Sequence, residues 1–307
     1  MNNNIMKFKN YFFIVPGLLS LLAILALLLW GLKPGIDLIG GSFMQVSYTT
    51  ERPVVEKIHE AVATVNIGEA RVQPTGTTGF ILRQRDLTNE EHQNLLKALG
   101  TLGTVHEDQF NSVGPTIGSE LMQKAWIAIA LVMISIIVFI AFAFRGVSKP
   151  IASWKYGVVA IITLLHDILI PTGLFALLGF THGAEVDSLF IVALLTILGI
   201  SINDTIVVFD RIRENLKKNE DKSRREEFEV VVSRSIMQTL TRSLNTSLTV
   251  LIVLGALYFM GPDSTRDFAL TLIVGMIAGT YSSIFLASPL LVVWNNFSHR
   301  KLAKQAK

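Results

Sequence analysis

The residues best suited to chemistry form the run Ser201-Ile202-Asn203-Asp204-Thr205, which lies inside an apolar stretch at 188–209. An ionisable side chain within a lipid-spanning helix costs roughly 2.5–3.5 kcal/mol on insertion scales, and such side chains usually serve a function. Ser201, Asp204 and Thr205 fall at i, i+3 and i+4, so they share one helical face. We expect this polar face to mark a proton or ion path.

A second charged group enters the membrane where the next apolar stretch begins. Residues 238–247 are unusually polar, and Arg242 within them lies at about the depth of Asp204. We expect the two spans to pack polar face to polar face around a hydrated pocket. Desolvation favours the neutral acid and a nearby guanidinium favours the carboxylate, so small movements of Arg242 can couple proton passage to conformation. The alternatives are a static ion pair and an arginine that extends to the lipid headgroups.

Other polar residues near this run have structural or functional interpretations. Asp167, in the third apolar stretch, extends the relay or holds the bundle together, and the second role is slightly favoured. Asn203 and Thr205 form hydrogen bonds between helices or position water. Asp210 and Arg211, at the inner end of the fourth stretch, are most simply a surface ion pair.

Enzyme chemistry has little support in the sequence. No GxxxxGK[ST] motif occurs, so ATP hydrolysis through a P-loop is not expected. The chain has no cysteine, and its six histidines form no metal-ligand pattern. We therefore predict neither a metal site nor a cofactor, and no catalytic residue.

The elements that must position these residues are membrane spans, because half of the 307 residues are hydrophobic and 17% are charged. Six apolar segments are long enough to cross a bilayer: about 11–32, 125–144, 156–178, 188–209, 244–260 and 267–293. The first is read as an uncleaved anchor, since it lacks a small-x-small cleavage site.

The distribution of basic residues predicts the orientation. Eighteen Lys and Arg residues lie before the first span, in 145–155, in 210–243 and after the last span, against one in the alternate short loops 179–187 and 261–266. This positive-inside pattern places both termini in the cytoplasm and 33–124 outside. The basic charge therefore reports orientation, and no nucleic-acid partner is expected.

The predicted organisation has four parts: 1–32 as N-terminus and first span, 33–124 as an external domain, 125–293 as five further spans, and 294–307 as a basic cytoplasmic tail. The external segment alternates strand and helix patterns in the order β-α-β-β-α-β, which suggests a small ferredoxin-like α+β domain. One of its helices opens on a capping box at Thr88-Asn89-Glu90-Glu91. Within the cytoplasmic loop 210–243, Ser223 to Glu226 is a second capping box before an amphipathic, interfacial helix.

Three motifs carry a resemblance to a known family. They are Gly35-Ile36-Asp37-Leu38-Ile39-Gly40-Gly41, the run from Gly199 through Asp204, Asp210 and Arg211 to Asn215, and Gly279-Thr280-Tyr281-Ser282-Ser283-Ile284-Phe285. Together they resemble the SecD/SecF family of protein-export membrane proteins, over nearly the whole chain. The short external segment at 33–124 favours the SecF branch over the SecD branch.

The resemblance implies a fold, partners and site residues. The fold is that of the resistance-nodulation-division superfamily in the bacterial inner membrane, with SecD supplying six further spans. The function is to use the proton motive force in late steps of preprotein translocation through SecYEG, after SecA has acted. The family's intramembrane acid falls on Asp204 and its functional arginine on Arg242, while Gly35, Asp37, Gly40 and Gly41 belong to a family motif.

Two other functions compete with a proton-driven export subunit. The first is half of a small-molecule or lipid exporter on the same scaffold. The second is a non-transporting scaffold that steadies the channel. Substitution of Asp204 and Arg242 separates these readings, because a scaffold depends on neither side chain.

Overall fold

The chain forms two units that alternate along the sequence. The larger comprises Met1–Lys33, Ala128–Ala184 and Leu189–Lys307, and the smaller comprises Pro34–Ile127 together with Glu185–Ser188. This computed structural model describes residue 6 and residues 9–144, 152–220 and 225–305.

Helices dominate the described residues. They are α1 (Lys9–Phe12), α2 (Ile14–Trp30), α3 (Ile36–Ile39), α4 (Val55–Thr64), α5 (Asn89–Gly100), α6 (Pro115–Ala143), α7 (Ser153–Thr181), α8 (Ser188–Glu220), α9 (Phe228–Met260), α10 (Asp263–Ser282) and α11 (Ser288–Gln305), with a π-helix at Ser283–Ala287 between the last two. The strands are β1 (Gly41–Tyr48), β2 (Arg71–Thr75), β3 (Gly79–Gln84) and β4 (Val105–Val113).

The smaller unit is built on one antiparallel sheet in the order β2-β3-β1-β4. Alternation along β1 and β3 buries one face, where Met44 pairs with Leu82 and Val46 pairs with Phe80. These side chains pack with residues of α4 and α5, including the fully buried Leu95. The element order from β1 to β4 is therefore β-α-β-β-α-β, as the residue pattern predicts.

Helices α4 and α5 of this unit begin differently. Thr88 caps α5 with the predicted capping box, in which the Thr88 hydroxyl accepts from Glu91 N–H at 3.3 Å. A hydrogen bond from Arg85, helped by the backbone N–H of Thr88, lowers the pKa of the Glu91 carboxyl to about 2. Helix α4 begins at Val55, two residues after Pro53, and has no side-chain cap.

The larger unit is a bundle of apolar helices. By length and composition, five helical segments are suited to crossing a membrane: Pro115–Ala143, Ser153–Thr181, Ser188–Glu220, Phe228–Met260 and Thr265–Ser298. The apolar helix Ile14–Trp30 has 17 residues and is shorter than these five. It packs on α7 at a close crossing, where a Cβ on Gly173 would lie 2.4 Å from Ala23 Cα.

The segment predicted as a cytoplasmic loop, 210–243, is mostly the ends of two long helices. The structure places Val231, Val232 and Ile236 of α9 in the same buried cluster as Ile212 and Leu216 of α8. The apolar stripe is therefore buried in protein, and the interfacial helix predicted from it is wrong. The proposed cap at Ser223 lies outside the described residues, and α9 begins at Phe228 without a side-chain cap.

Candidate functional site

Asp204 lies on the inner side of α8, where its side chain is shielded from solvent. The residue is 6% exposed, because its face of α8 meets α10 at small residues. Beside it is a cavity of about 10 Å³ whose lining includes Ser201, Gly279 and Thr280. A space of this size holds about one water molecule. The acid therefore borders a water-sized gap between α8 and α10.

Two neighbours of Asp204 on the same helical face are anchored to other elements. Thr205 Oγ1 lies 2.9 Å from Ser283 Oγ, and Ser283 Oγ donates to the Ser201 carbonyl oxygen at 3.4 Å. Ser283 is the first residue of the π-helix. Such π-turns within α-helices frequently occur at functional sites, since the extra residue reorients the side chains of that turn.

Ser201 also connects α8 to α7. Its hydroxyl donates to Asp167 Oδ2, and the other oxygen of Asp167 lies 2.9 Å from His166 Nδ1. Asp167 has no exposed surface. A Cβ on Gly279 would lie 3.1 Å from Ser201 Cβ, so only a small residue permits this approach of α10. Polar groups from α7, α8 and the π-helix thus meet around Ser201 and Thr205.

Arg242 lies on the opposite side of the site, facing outward. It lines a polar pocket of about 220 Å³ between α8 and α9, together with Asp210, Arg211, Glu214 and Gln238. Arg242 and Asp204 line different pockets, and no ion pair joins the two among the described residues. The expected polar pocket between these helices exists, and Asp204 is not part of its lining.

Several polar residues at this level of α8 and α9 are exposed. We call the set the polar stripe: Asn203, Gln238, Arg242, Asn245 and Thr249. The four on α9 are spaced by four, three and four residues and so lie on one face. Hydrocarbon cannot satisfy such groups, so the stripe must be covered by protein or water.

The remaining predicted residues are placed elsewhere. Arg211 pairs with Glu214 at 2.7 Å, so the expected surface pair between Asp210 and Arg211 is wrong. A carboxylate oxygen of Glu214 is in turn 2.6 Å from Lys218 Nζ.

The family motif at 35–41 belongs to the smaller unit and is separate from this site. Asp37 Oδ2 accepts hydrogen bonds from Ser188 N–H at 3.2 Å and from Ser188 Oγ at 2.5 Å. Gly40 adopts a φ of 83°, which favours glycine.

Ser283, which belongs to the third family motif, is the functional-site residue to which the residue patterns assigned no role. The available signal is the pair Ser282-Ser283 within an otherwise apolar stretch of the last span. Both are fully buried, and a buried hydroxyl needs a partner.

Comparisons with known proteins agree on one family. Residues 92–297 match the model of the family "Protein export membrane protein SecD/SecF, C-terminal". A protein translocase subunit SecF from Thermobaculum terrenum is 43% identical over 95% of this chain and 94% of its own length. The SecF of a Synechocystis strain is 36% identical, with 98% of this chain and 97% of the relative covered.

Solved structures lead to the same family. The crystal structure of SecDF from Thermus thermophilus, described as a translocon-associated membrane protein, superimposes with a TM-score of 0.81 at 34% identity. The match covers 95% of this chain and 38% of that one, so the chain spans under half of SecDF. SecDF in its super-membrane-facing form gives a TM-score of 0.68.

The apolar helices, the small antiparallel sheet and the matches over nearly the full length agree with one another. The chain is a polytopic helical membrane protein, and it belongs to the SecF branch of the SecD/SecF family.

Proposed function

We propose that this chain is the SecF subunit of a SecD–SecF complex and uses the proton motive force to assist late steps of preprotein translocation through SecYEG. The observation that carries the proposal is a buried acid, Asp204, beside an exposed polar stripe within membrane-spanning helices. One charge crossing a potential of 100 mV releases about 2.3 kcal/mol, which is enough to bias a two-state element.

Asp204 takes up and releases the proton in this mechanism. Its cavity has room for about one water molecule on the α10 side, which would serve as a hydrogen-bonding partner. Arg242, exposed in the outer pocket, favours the carboxylate when it approaches and the neutral acid when it withdraws. The change of charge at Asp204 is thereby coupled to the spacing of α8 and α9.

The supporting residues hold this geometry. Asp167 fixes Ser201 through a hydrogen bond, and Thr205 is fixed by Ser283. Asn203 lies one residue before Asp204 on the exposed side of α8, where it can contact a partner helix or water.

The partner that covers the polar stripe is SecD. The SecDF relative is a longer chain, of which this one covers 38%, so the missing portion of that architecture is the natural neighbour. SecYEG and the emerging preprotein are the further partners, and SecA acts before this step. The role is not enzymatic, and the chain needs no nucleic acid or cofactor.

The proposed topology has six spans in the inner membrane. Ile14–Trp30 is the first, since 17 apolar residues are about the minimum for crossing the hydrocarbon core. Both termini are cytoplasmic, and 33–124 is an extracytoplasmic ferredoxin-like domain, in keeping with the strand order β2-β3-β1-β4.

The decisive experiment substitutes Asp204→Asn in the full complex and measures late-stage export under a measured proton gradient. We expect the complex to assemble and the proton-dependent part of export to be lost. The matched control is Glu220→Gln, an exposed acid on the same helix outside the polar pocket, which should keep export near normal.

The outcomes separate the competing functions. Normal export in Asp204→Asn at equal abundance would contradict the proton-driven role and favour a scaffold. Flux of a small solute or lipid through purified complex in vesicles, lost in the same variant, would favour an exporter instead.

A further inference from the structure

The family motif at 35–41 has no role in the proton site, and its contacts indicate a different one. It touches the first residues of two long helices inside the smaller unit. We define the collar as Gly35, Asp37, Gly40 and Gly41, the four motif residues whose contacts are described below.

The first contact of the collar is with the loop Glu185–Ser188. Gly35 N–H donates to the Val186 carbonyl oxygen at 2.8 Å, next to an isolated parallel bridge between Pro34 and Val186. A Cβ on Gly35 would lie 3.3 Å from that oxygen, so the glycine permits the close approach. The backbone of the collar and the backbone of the loop are thus directly paired.

Asp37 completes this attachment at the start of α8. Its carboxylate accepts from both the backbone N–H and the hydroxyl of Ser188, the first residue of that helix. A carboxylate here satisfies an otherwise unpaired N–H and interacts favourably with the positive end of the helix dipole.

The sheet holds the same loop from another direction. Arg83 Nε lies 3.1 Å from Glu185 Oε2, and Arg71 Nη1 lies 3.8 Å from Glu185 Oε1. Arg83 also donates to the Gln73 side chain at 3.0 Å, which orients its guanidinium. Strands β2 and β3 are therefore tied to the loop by partly buried ion pairs.

The second half of the collar packs against α6. A Cβ on Gly40 would lie 2.5 Å from Pro115 Cα, and one on Gly118 would lie 2.4 Å from Gly40 N. Gly40 and Gly41 also have φ angles of 83° and 135°, so glycine is favoured on both counts. The collar therefore meets the beginnings of both α6 and α8.

We propose that the collar is a mechanical joint that transmits movement of α8 to the four-stranded sheet. α8 is continuous from Ser188 through Asp204, sixteen residues or about 24 Å along the axis. A displacement of α8 when Asp204 changes its protonation state reaches Ser188 with little loss, because a continuous helix is stiff. Asp37 and the Glu185 ion pairs pass that displacement to the sheet. This inference rests on the proposed function of Asp204.

The contacts of the collar remain formed throughout the transport cycle, because a broken contact would transmit no displacement. Asp37 is thus a positioning residue that acts through α8. Its substitution should reduce export without altering the proton site.

The test uses the full complex in its membrane and compares Asp37→Ala with Asp37→Asn. The alanine variant loses both acceptor contacts and should lower proton-dependent export by about 5- to 150-fold, the usual range of coupling between two sites. The asparagine oxygen still accepts from Ser188, so that variant should keep most of the activity. Asp108→Ala is the matched control, because Asp108 also accepts from a serine of this unit, Ser47, and touches neither long helix.

An engineered disulfide between the collar and the loop tests whether Asp37→Ala lowers export through lost coupling or through lost stability of the protein. Pro34 and Val186 form a parallel bridge pair, and paired strands generally lie about 4.7–4.9 Å apart, within the Cα separation of about 4.4–6.8 Å that a disulfide spans. The chain has no cysteine, so a Pro34→Cys/Val186→Cys pair has no competing partner. In the Asp37→Ala background, oxidation should restore export and reduction should remove it again.

Three results would overturn the joint. They are normal export in Asp37→Ala, no rescue on oxidation although the disulfide forms, and a block of export by the disulfide in the wild-type background. If Asp37→Ala does not accumulate in the membrane, the disulfide in the wild-type background still tests the proposal: normal export supports the joint, and blocked export overturns it. Asp204→Asn is measured alongside: if it is inactive and Asp37→Ala is active, the joint alone fails, and if it is active, the proton-driven function fails.

Discussion

Asp167 is a fully buried acid that does not line the cavity beside Asp204, the proposed proton site. Its two oxygens are occupied by Ser201 Oγ and His166 Nδ1. A carboxyl group with both oxygens engaged and no water-filled neighbour is suited to holding helices together. We therefore assign Asp167 to the support of Ser201 and not to proton transfer.

Substitution of Asp167 tests that assignment. Asp167→Ala leaves two buried polar partners unsatisfied, each at a cost of about 1–3 kcal/mol, and should lower the thermal unfolding temperature in detergent. Asp167→Asn offers one acceptor and one donor at the same positions and should keep both the unfolding temperature and export. Loss of export in Asp167→Asn at unchanged stability would instead make Asp167 a proton carrier.

At the scale of the elements, a single residue can set how closely two helices pack. The crossing of α2 on α7 depends on Gly173, whose missing side chain leaves room for the Ala23 backbone. Backbone cannot rotate away from a new methyl group as a flexible side chain can. The position of the first apolar helix therefore depends on one glycine.

Gly173→Ala should destabilise the bundle by about 1–3 kcal/mol, the usual cost of overpacking. The matched control is Gly17→Ala on α2, where an added Cβ meets no atom within 4 Å. That change should be neutral or stabilise by up to about 1 kcal/mol, because alanine is the better helix former. Thermal unfolding of both purified variants measures the difference, and equal unfolding temperatures would show that the crossing is not constrained by Gly173.

At the scale of the whole molecule, one exposed surface carries polar side chains that lipid cannot satisfy. Two exposed faces run along α9, one polar with Arg242 and Asn245 and one apolar with Leu244 and Leu248. Lipid suits the apolar face and not the polar one, so we propose that the polar side is the contact with a second bundle. Gly199, on the exposed side of α8 and four residues before Asn203, continues that contact, since nothing lies within 4 Å of its Cβ position.

Bulky substitutions on the two faces should separate partner binding from folding. Gly199→Trp places a large ring in the proposed SecD contact and should abolish co-purification of SecD in mild detergent. Gly255→Trp lies on the same face of α9 as Leu244 and Leu248, also in open space, and should leave co-purification intact. Retention of SecD by Gly199→Trp would show that this face is not the contact.

Local patterns in the sequence determined much of this protein. Hydrophobic length predicted the spans from 125 onward, alternation predicted the strands, and the Thr88 capping box predicted the start of α5, because each depends on neighbouring residues alone. The placement of Asp204 on a shielded face of α8 also followed from spacing and from the cost of a charge in lipid.

Tertiary structure alone decided which groups meet. The sequence does not show that Ser283 reaches Thr205, that Asp37 reaches Ser188 across 151 positions, or that Arg242 faces away from the cavity beside Asp204. The apolar stripe that contains Val231 and Ile236 was predicted to lie at the membrane interface, whereas the structure buries it against α8. Periodicity identifies a face of a helix, whereas the partner of that face depends on packing between segments distant in the chain.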